Sequence, residues 1–291
     1  MSLVFSLRTP PGRSAADLDD GIFMPGANGR AVILVHGLTG TPNEMRFLAW
    51  YLNSHGYTVF TPRLANHGQP IAVLQATPWR DFYQSVQAAW RRLRADHRQV
   101  FAAGLSMGAL LALLLAADEG TDVAGVSCLS PTLFYDGWNV PWYQFLLRLA
   151  PWSGLESRLY FREEPPYGLK NERIRERVHR FYANADLQDM QDVDQLGYPF
   201  FPVRLLTELR RLVRCVEGRL GAVRSPCQVI QARHDDMSSM RNAVHIHERV
   251  ASRDKELVYL DDSYHVITAD QERGKVAARL LEFCERRAVG A

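Results

Sequence analysis

Short unbroken runs of apolar residues alternate, through the first half of the chain, with longer stretches whose apolar positions recur every three to four residues. Residues 31–35 (Ala-Val-Ile-Leu-Val), 57–61, 100–103 and 123–129 are runs of the first kind, the mark of strands buried on both faces of a parallel sheet. Between them, residues 42–55 place Met45, Leu48, Ala49 and Leu52 on one helical face and stop at Gly56. Residues 78–96 follow Thr77, the expected N-cap, with Pro78 at the first helical position. Residues 107–117 are apolar nearly all round, as in a helix enclosed within a domain. The alternation predicts an α/β fold: a mostly parallel sheet with helices on both faces.

The pattern breaks between 131 and 224, where no buried-strand run occurs, and resumes with strands at 227–232 and 256–260 and helices at 240–250 and 270–287. The expected organisation is a core of residues 1–130 and 225–291 interrupted by a helical lid, 131–224. Such a lid would lie over the carboxyl ends of the strands, where open α/β sheets bind ligands.

Chemistry enters at the end of the third run. Gly104-Leu105-Ser106-Met107-Gly108 spans the passage from a strand to a helix. A serine in so tight a turn is forced into a strained backbone and holds its hydroxyl above the sheet edge. Gly104 and Gly108 are expected because a Cβ there would meet the neighbouring strand or helix. Acyl transfer through a serine also needs two fixed N–H donors for the oxyanion. Met107, at a helix N-terminus, offers one. Leu38 offers the second, in the loop His36-Gly37-Leu38-Thr39-Gly40, where Gly37 and Gly40 are read as allowing a sharp turn.

The serine needs a general base, and the chain has nine histidines. His36 belongs to the oxyanion loop; His55, His97 and His179 read as surface residues, and His67 as a pocket-lining candidate. His265 lies between the last strand and the last helix, where a hydrolase of this chain order (serine, acid, histidine) carries its base. The acid is expected at Asp235, three residues past the strand ending at Ala232, with Asp236 as its rival. Asp261 and Asp262 lie too near His265 in the same loop. His234-Asp235-Asp236 with His245 and His247 matches no metal-ligand template, so neither metal nor cofactor is expected.

Composition narrows the picture. A chain of 291 residues, 47% hydrophobic and 23% charged, can bury a core without disulfides or a structural metal. A net charge of +2 gives no reason to expect nucleic acid as a partner. Cys128, Cys215, Cys227 and Cys284 are scattered, with no metal-ligand spacing, and Cys128 and Cys227, inside apolar strand-like runs, read as reduced, buried thiols. No apolar run approaches the about 18 residues of a membrane span, and no signal peptide is recognised, so a cytoplasmic protein is expected.

Taken together, His36-Gly-Leu-Thr-Gly-Thr-Pro42, Gly104-Leu-Ser-Met-Gly108, Gln231-Ala-Arg-His-Asp235 and His265-Val-Ile-Thr-Ala-Asp-Gln271 resemble the bacterial carboxylesterases close to monoacylglycerol lipases. The resemblance covers most of the chain except the lid. It implies an α/β-hydrolase core, a helical cap, hydrolysis of short- to medium-chain acyl esters or monoacylglycerol-like esters, a Ser106–Asp235–His265 triad, and oxyanion donors at Leu38 and Met107. The chain departs from the pattern in its longer lid and in Tyr264, where a glycine often precedes the histidine.

Within the lid, Trp138, Trp142, Tyr143, Phe145 and Trp152 read as packing aromatics or as the wall of an acyl pocket. Arg158, Arg162, Lys170, Arg173, Arg175, Arg177 and Arg180, interleaved with Glu163, Glu164, Glu172 and Glu176, read as a solvated face; attraction of an anionic substrate is the alternative. The expected partner is a small acyl ester. A thioesterase or acyltransferase would use the same triad, and a non-catalytic ligand-binding module on the same fold is the reading from another class.

Overall fold

The computed structural model describes residues 2–5, 21–140, 156–183, 185 and 193–287. Ten strands occur among them: β1 Ser2–Phe5, β2 Gly21–Met24, β3 Arg30–Val35, β4 Thr58–Pro62, β5 Gln99–Leu105, β6 Val123–Leu129, β7 Leu159–Arg162, β8 Phe200–Pro202, β9 Cys227–Ala232 and β10 Lys255–Leu260. Seven form one sheet in the order β10-β9-β6-β5-β3-β4-β2, parallel throughout except for the antiparallel edge strand β2.

The apolar runs are continuous because both faces of the sheet are covered. In β3, Ala31, Ile33 and Val35 join one core cluster, while Val32 and Leu34 join the other. The first cluster takes in helices Trp79–Asp96 and Met107–Glu119 and the inner face of Val203–Glu217; the second takes in Arg46–Ser54 and Arg273–Arg286. Among the described residues no helix is long and apolar enough to cross a membrane.

Two expectations need correction. The segment between β6 and β9 is not all helical. It contains helices Glu172–Ala183 and Val203–Glu217, but also β7 and β8, which form a three-stranded antiparallel sheet with β1. Strands of three and four residues are too short to show a period, and β1, which pairs with β7, lies more than 150 positions away. Leu205, Leu212 and Val216 of this segment also belong to the main core, so its second half is not a detached cap.

Thr77 is not the N-cap of the next helix. The helix runs Trp79–Asp96, and its Trp79 N–H donates to Glu208 Oε2 at 3.1 Å. Thr77 instead donates to the Val73 carbonyl and accepts from the Asn66 amide. A distant buried carboxylate has replaced the local hydroxyl as the helix's first acceptor.

Candidate active site

The parallel strands end at one edge of the sheet, and the loops leaving β3, β5, β9 and β10 meet there. Ser106, immediately after β5, has φ 56° and ψ −114°. A non-glycine residue at positive φ is strained; here it is held by the Ser106 N–H bond to the Leu129 carbonyl at 2.9 Å. The flanking glycines have steric reasons. A Cβ at Gly104 would strike the backbone of Gly108, and a Cβ at Gly108 would strike the carbonyl of Val35. Met107 begins helix Met107–Glu119 and is buried.

Ser106 and His265 line one cavity of about 250 Å³, together with Gly37 and Leu38. The Ser106 hydroxyl lies 3.1 Å from Thr132 Oγ1. His265 Nδ1 lies 3.0 and 2.9 Å from the two oxygens of Asp235, and both side chains are almost wholly buried. Asp235 is itself fixed. It accepts from the Met237 and Ser238 N–H groups at 2.8 Å each and from Gln231 Nε2 at 2.7 Å.

Asp236, the rival acid, has a different place. It accepts the His265 backbone N–H and the Gly168 N–H, each at 3.2 Å, and so ties the histidine loop to the segment beyond β7. Asp270 makes a parallel tie by accepting the N–H groups of Lys170, Asn171 and Tyr264.

The electrostatics are unusual in sign. Burial works against a charged His265, yet Asp235, through its charge and hydrogen bond, and the nearby Asp236 and Glu44 outweigh it, so its pKa lies above the usual 6.5. Burial also raises Asp236, and raises Glu44 and Glu163 to about 7 each. Glu44, Glu163, Glu164 and Asp236 all line the cavity, and among the described residues no lysine or arginine does.

The loop after β3 departs from expectation in detail. The loop does turn back, with the Gly40 N–H donating to the Gly37 carbonyl at 3.3 Å, but neither glycine adopts a left-handed backbone. Gly40 is required by space, because a Cβ would fall on the carboxylate of Glu44. His67 does not line the cavity; it is buried, and its Nε2 lies 2.9 Å from the Leu38 carbonyl. Burial lowers its pKa to about 4.

Trp138 is largely exposed, donates to the His234 carbonyl at 2.9 Å and meets Tyr264 edge-on. Trp142, Tyr143, Phe145 and Trp152 lie outside the described residues. Of the basic set, Arg173, Arg177 and Arg180 are exposed on the outer face of Glu172–Ala183, whereas Arg162 turns inward to the carbonyls of Tyr182 and Ala183. Sequence reasoning missed Glu44, Thr132 and Tyr135 altogether. A glutamate two residues past a proline at a helix start reads as ordinary dipole chemistry, and nothing local says that it faces a cavity.

Comparison with known proteins identifies the family. Residues 26–272 match the family model described as serine aminopeptidase, S33. The chain belongs to this family of α/β-hydrolases. It is 30% identical over 257 residues to the thermostable monoacylglycerol lipase of Bacillus sp. (strain H-257), covering 88% of this chain and 91% of that one. It is likewise 30% identical to the carboxylesterase of Bacillus subtilis (strain 168), over 88% of this chain and 93% of the relative. Among solved structures, a chain from work on the metagenome-derived lipolytic enzymes LipS and LipT superimposes with a TM-score of 0.71 at 28% identity, covering 91% of this chain and 96% of that one. The monoacylglycerol lipase of Paleococcus ferrophilus shares the fold, with a TM-score of 0.74 at 17% identity over 92% and 98% of the two chains. This α/β-hydrolase is thus a carboxylesterase-type serine hydrolase, with lipases and esterases as its relatives.

Proposed function

We propose that the chain hydrolyses carboxylic esters with short- to medium-chain acyl groups, monoacylglycerol-like esters among them, through an acyl-enzyme. Ser106 is the nucleophile, His265 the general base and Asp235 its orienting acid. In the first step the Ser106 hydroxyl gives its proton to His265 Nε2 as its oxygen attacks the ester carbonyl. The oxyanion is received by the N–H groups of Leu38 and Met107. His265 then returns the proton to the departing alcohol, and afterwards takes one from the water that cleaves the acyl-enzyme. Asp235 bonds to Nδ1 and leaves Nε2 free for this traffic.

The observation that carries the reading is that His265, bonded to the buried Asp235 behind it, lines the same cavity as the strained Ser106. Within the segment 131–224, residues 163–182 are proposed as the cap that completes the cavity, since Tyr167, Ile174, Val178 and Tyr182 border it. The acidic wall disfavours the anionic-substrate alternative raised by the arginines, most of which face outward. The test is a chain-length series of p-nitrophenyl esters with wild type and Ser106→Ala. A pre-steady-state burst absent from the variant is expected, as is fluorophosphonate labelling that maps to Ser106. Equal turnover by the two proteins would reject the mechanism.

A further inference from the structure

The loop after β3 is held by side chains at three successive peptide units. His36 Nε2 accepts the Leu64 N–H at 3.3 Å, so the ring proton sits on Nδ1, which lies 2.9 Å from the Gly37 carbonyl. That carbonyl and the Leu38 N–H belong to one peptide plane, so fixing one aims the other. The next carbonyl, that of Leu38, meets His67 Nε2 at 2.9 Å. The preceding unit presents the Gly37 N–H to Glu44 Oε2 at 3.0 Å. Burial keeps both imidazoles neutral.

Glu44 differs from its two companions because it borders the cavity. Its carboxylate occupies the space that Gly40 leaves by lacking a Cβ, and Gly37 brings the loop close to Ser106. A carboxylate in such a place is costly unless it is bonded, and an apolar residue would fill the same space at less expense. The Gly37 bond gives the group a use.

We infer that Glu44 is a positioning residue for the oxyanion hole: by holding the Gly37 N–H it aims the neighbouring Leu38 amide into the cavity. The inference rests on the ester-hydrolase reading above. Glu44 acts through its oxygen, and any acceptor of the same reach would serve. Its charge has a second, separable consequence. His265 faces Asp235, Asp236 and Glu44, and Glu44 in turn faces His265 and Glu163, so removing one of these anions makes His265 easier to deprotonate.

The experiment compares wild type, Glu44→Gln, Glu44→Ala and Glu44→Asp on p-nitrophenyl butyrate from pH 5 to 9, with fluorophosphonate labelling rates alongside. Loss of the bond in Glu44→Ala is expected to lower kcat on the order of 10²-fold, the usual effect of an impaired oxyanion donor, with KM changed less than about threefold. Phosphonylation should slow in parallel, because its oxyanion uses the same two amides. Glu44→Gln should restore kcat to within about threefold of wild type and move the acidic limb of the pH profile downward. Should Glu44→Ala fail to fold, Glu44→Asp carries the comparison: it keeps the charge, falls one methylene short of Gly37, and should behave like the alanine variant. A Glu44→Ala kcat within threefold of wild type, a Glu44→Gln as impaired as Glu44→Ala, or an unmoved acidic limb in Glu44→Gln would each overturn the inference. Wild-type protein inert to both the ester and the phosphonate would instead remove the hydrolase reading itself.

Discussion

The hydroxyls of Ser106 and Thr132 lie 3.1 Å apart, within hydrogen-bonding distance. Thr132 Oγ1 also lies 3.5 Å from the Ser130 carbonyl, and a Thr132 proton directed there leaves its oxygen to accept from Ser106. A Ser106 proton engaged with Thr132 is not available to His265, so in the proposed mechanism this contact breaks before attack. Apo sites commonly show such looser geometry.

Thr132→Val keeps the shape and removes the competing acceptor. One net hydrogen bond is about 1 kcal/mol, so Ser106 should react with a fluorophosphonate about fivefold faster at pH 8. A rate at or below wild type would show that Thr132 positions the hydroxyl instead of detaining it.

Asp235 and Asp236 should separate cleanly. Asp235→Asn places an amide against His265 Nδ1 and favours the wrong tautomer, so kcat should fall on the order of 10³–10⁴-fold. The Asp236 carboxylate accepts the backbone N–H groups of His265 and Gly168. Its asparagine variant should lose well under 10²-fold and show increased proteolysis near Gly168. Comparable losses from both variants would contradict the assignment of roles.

The pH–rate profile follows from the sign of the His265 shift. As the proposed base, His265 acts only when neutral, and its pKa is raised, so kcat/KM should climb as pH rises through a midpoint above 6.5. A midpoint below 6 would be incompatible with the three surrounding carboxylates as drawn.

Stability should carry the opposite dependence through Glu44 and Glu163. Both have folded pKa values near 7 against a usual 4.5, so folding favours their protonated forms. Their contribution is complete below about pH 4.5 and disappears as pH rises through 7. Thermal melts of Glu44→Gln/Glu163→Gln and wild type should therefore diverge in the variant's favour between pH 5 and 8. His67 works in the other direction: its lowered pKa contributes above 6.5 and is lost toward pH 4, which is why the difference between the two proteins is the quantity to measure. A constant difference across that range would refute the shifts.

The elements of the core were legible because each carries its own period. Strand β3 is read from five consecutive apolar residues whose neighbours on both faces are helices. The elbow at Ser106 was legible for a related reason: two glycines excluded by backbone on either side leave few alternatives. Asp235 and His265 followed from chain order, and the structure brings them within hydrogen-bonding distance. By contrast β7 and β8 could not be read, since three or four residues have no period and depend on pairing with each other and, through β7, with the distant β1.

Sequence by itself determined the α/β alternation, the strand-to-helix turn around Ser106 and the loops that bear Leu38, Asp235 and His265, all features encoded within a few neighbouring residues. Only the tertiary structure decided which groups face the cavity together. Glu44 beneath Gly40, Glu163 from the segment beyond β6, and Glu208 serving a helix 129 positions earlier are examples. Charge, desolvation and hydrogen bonding act through space, and distance in space is not written in spacing along the chain.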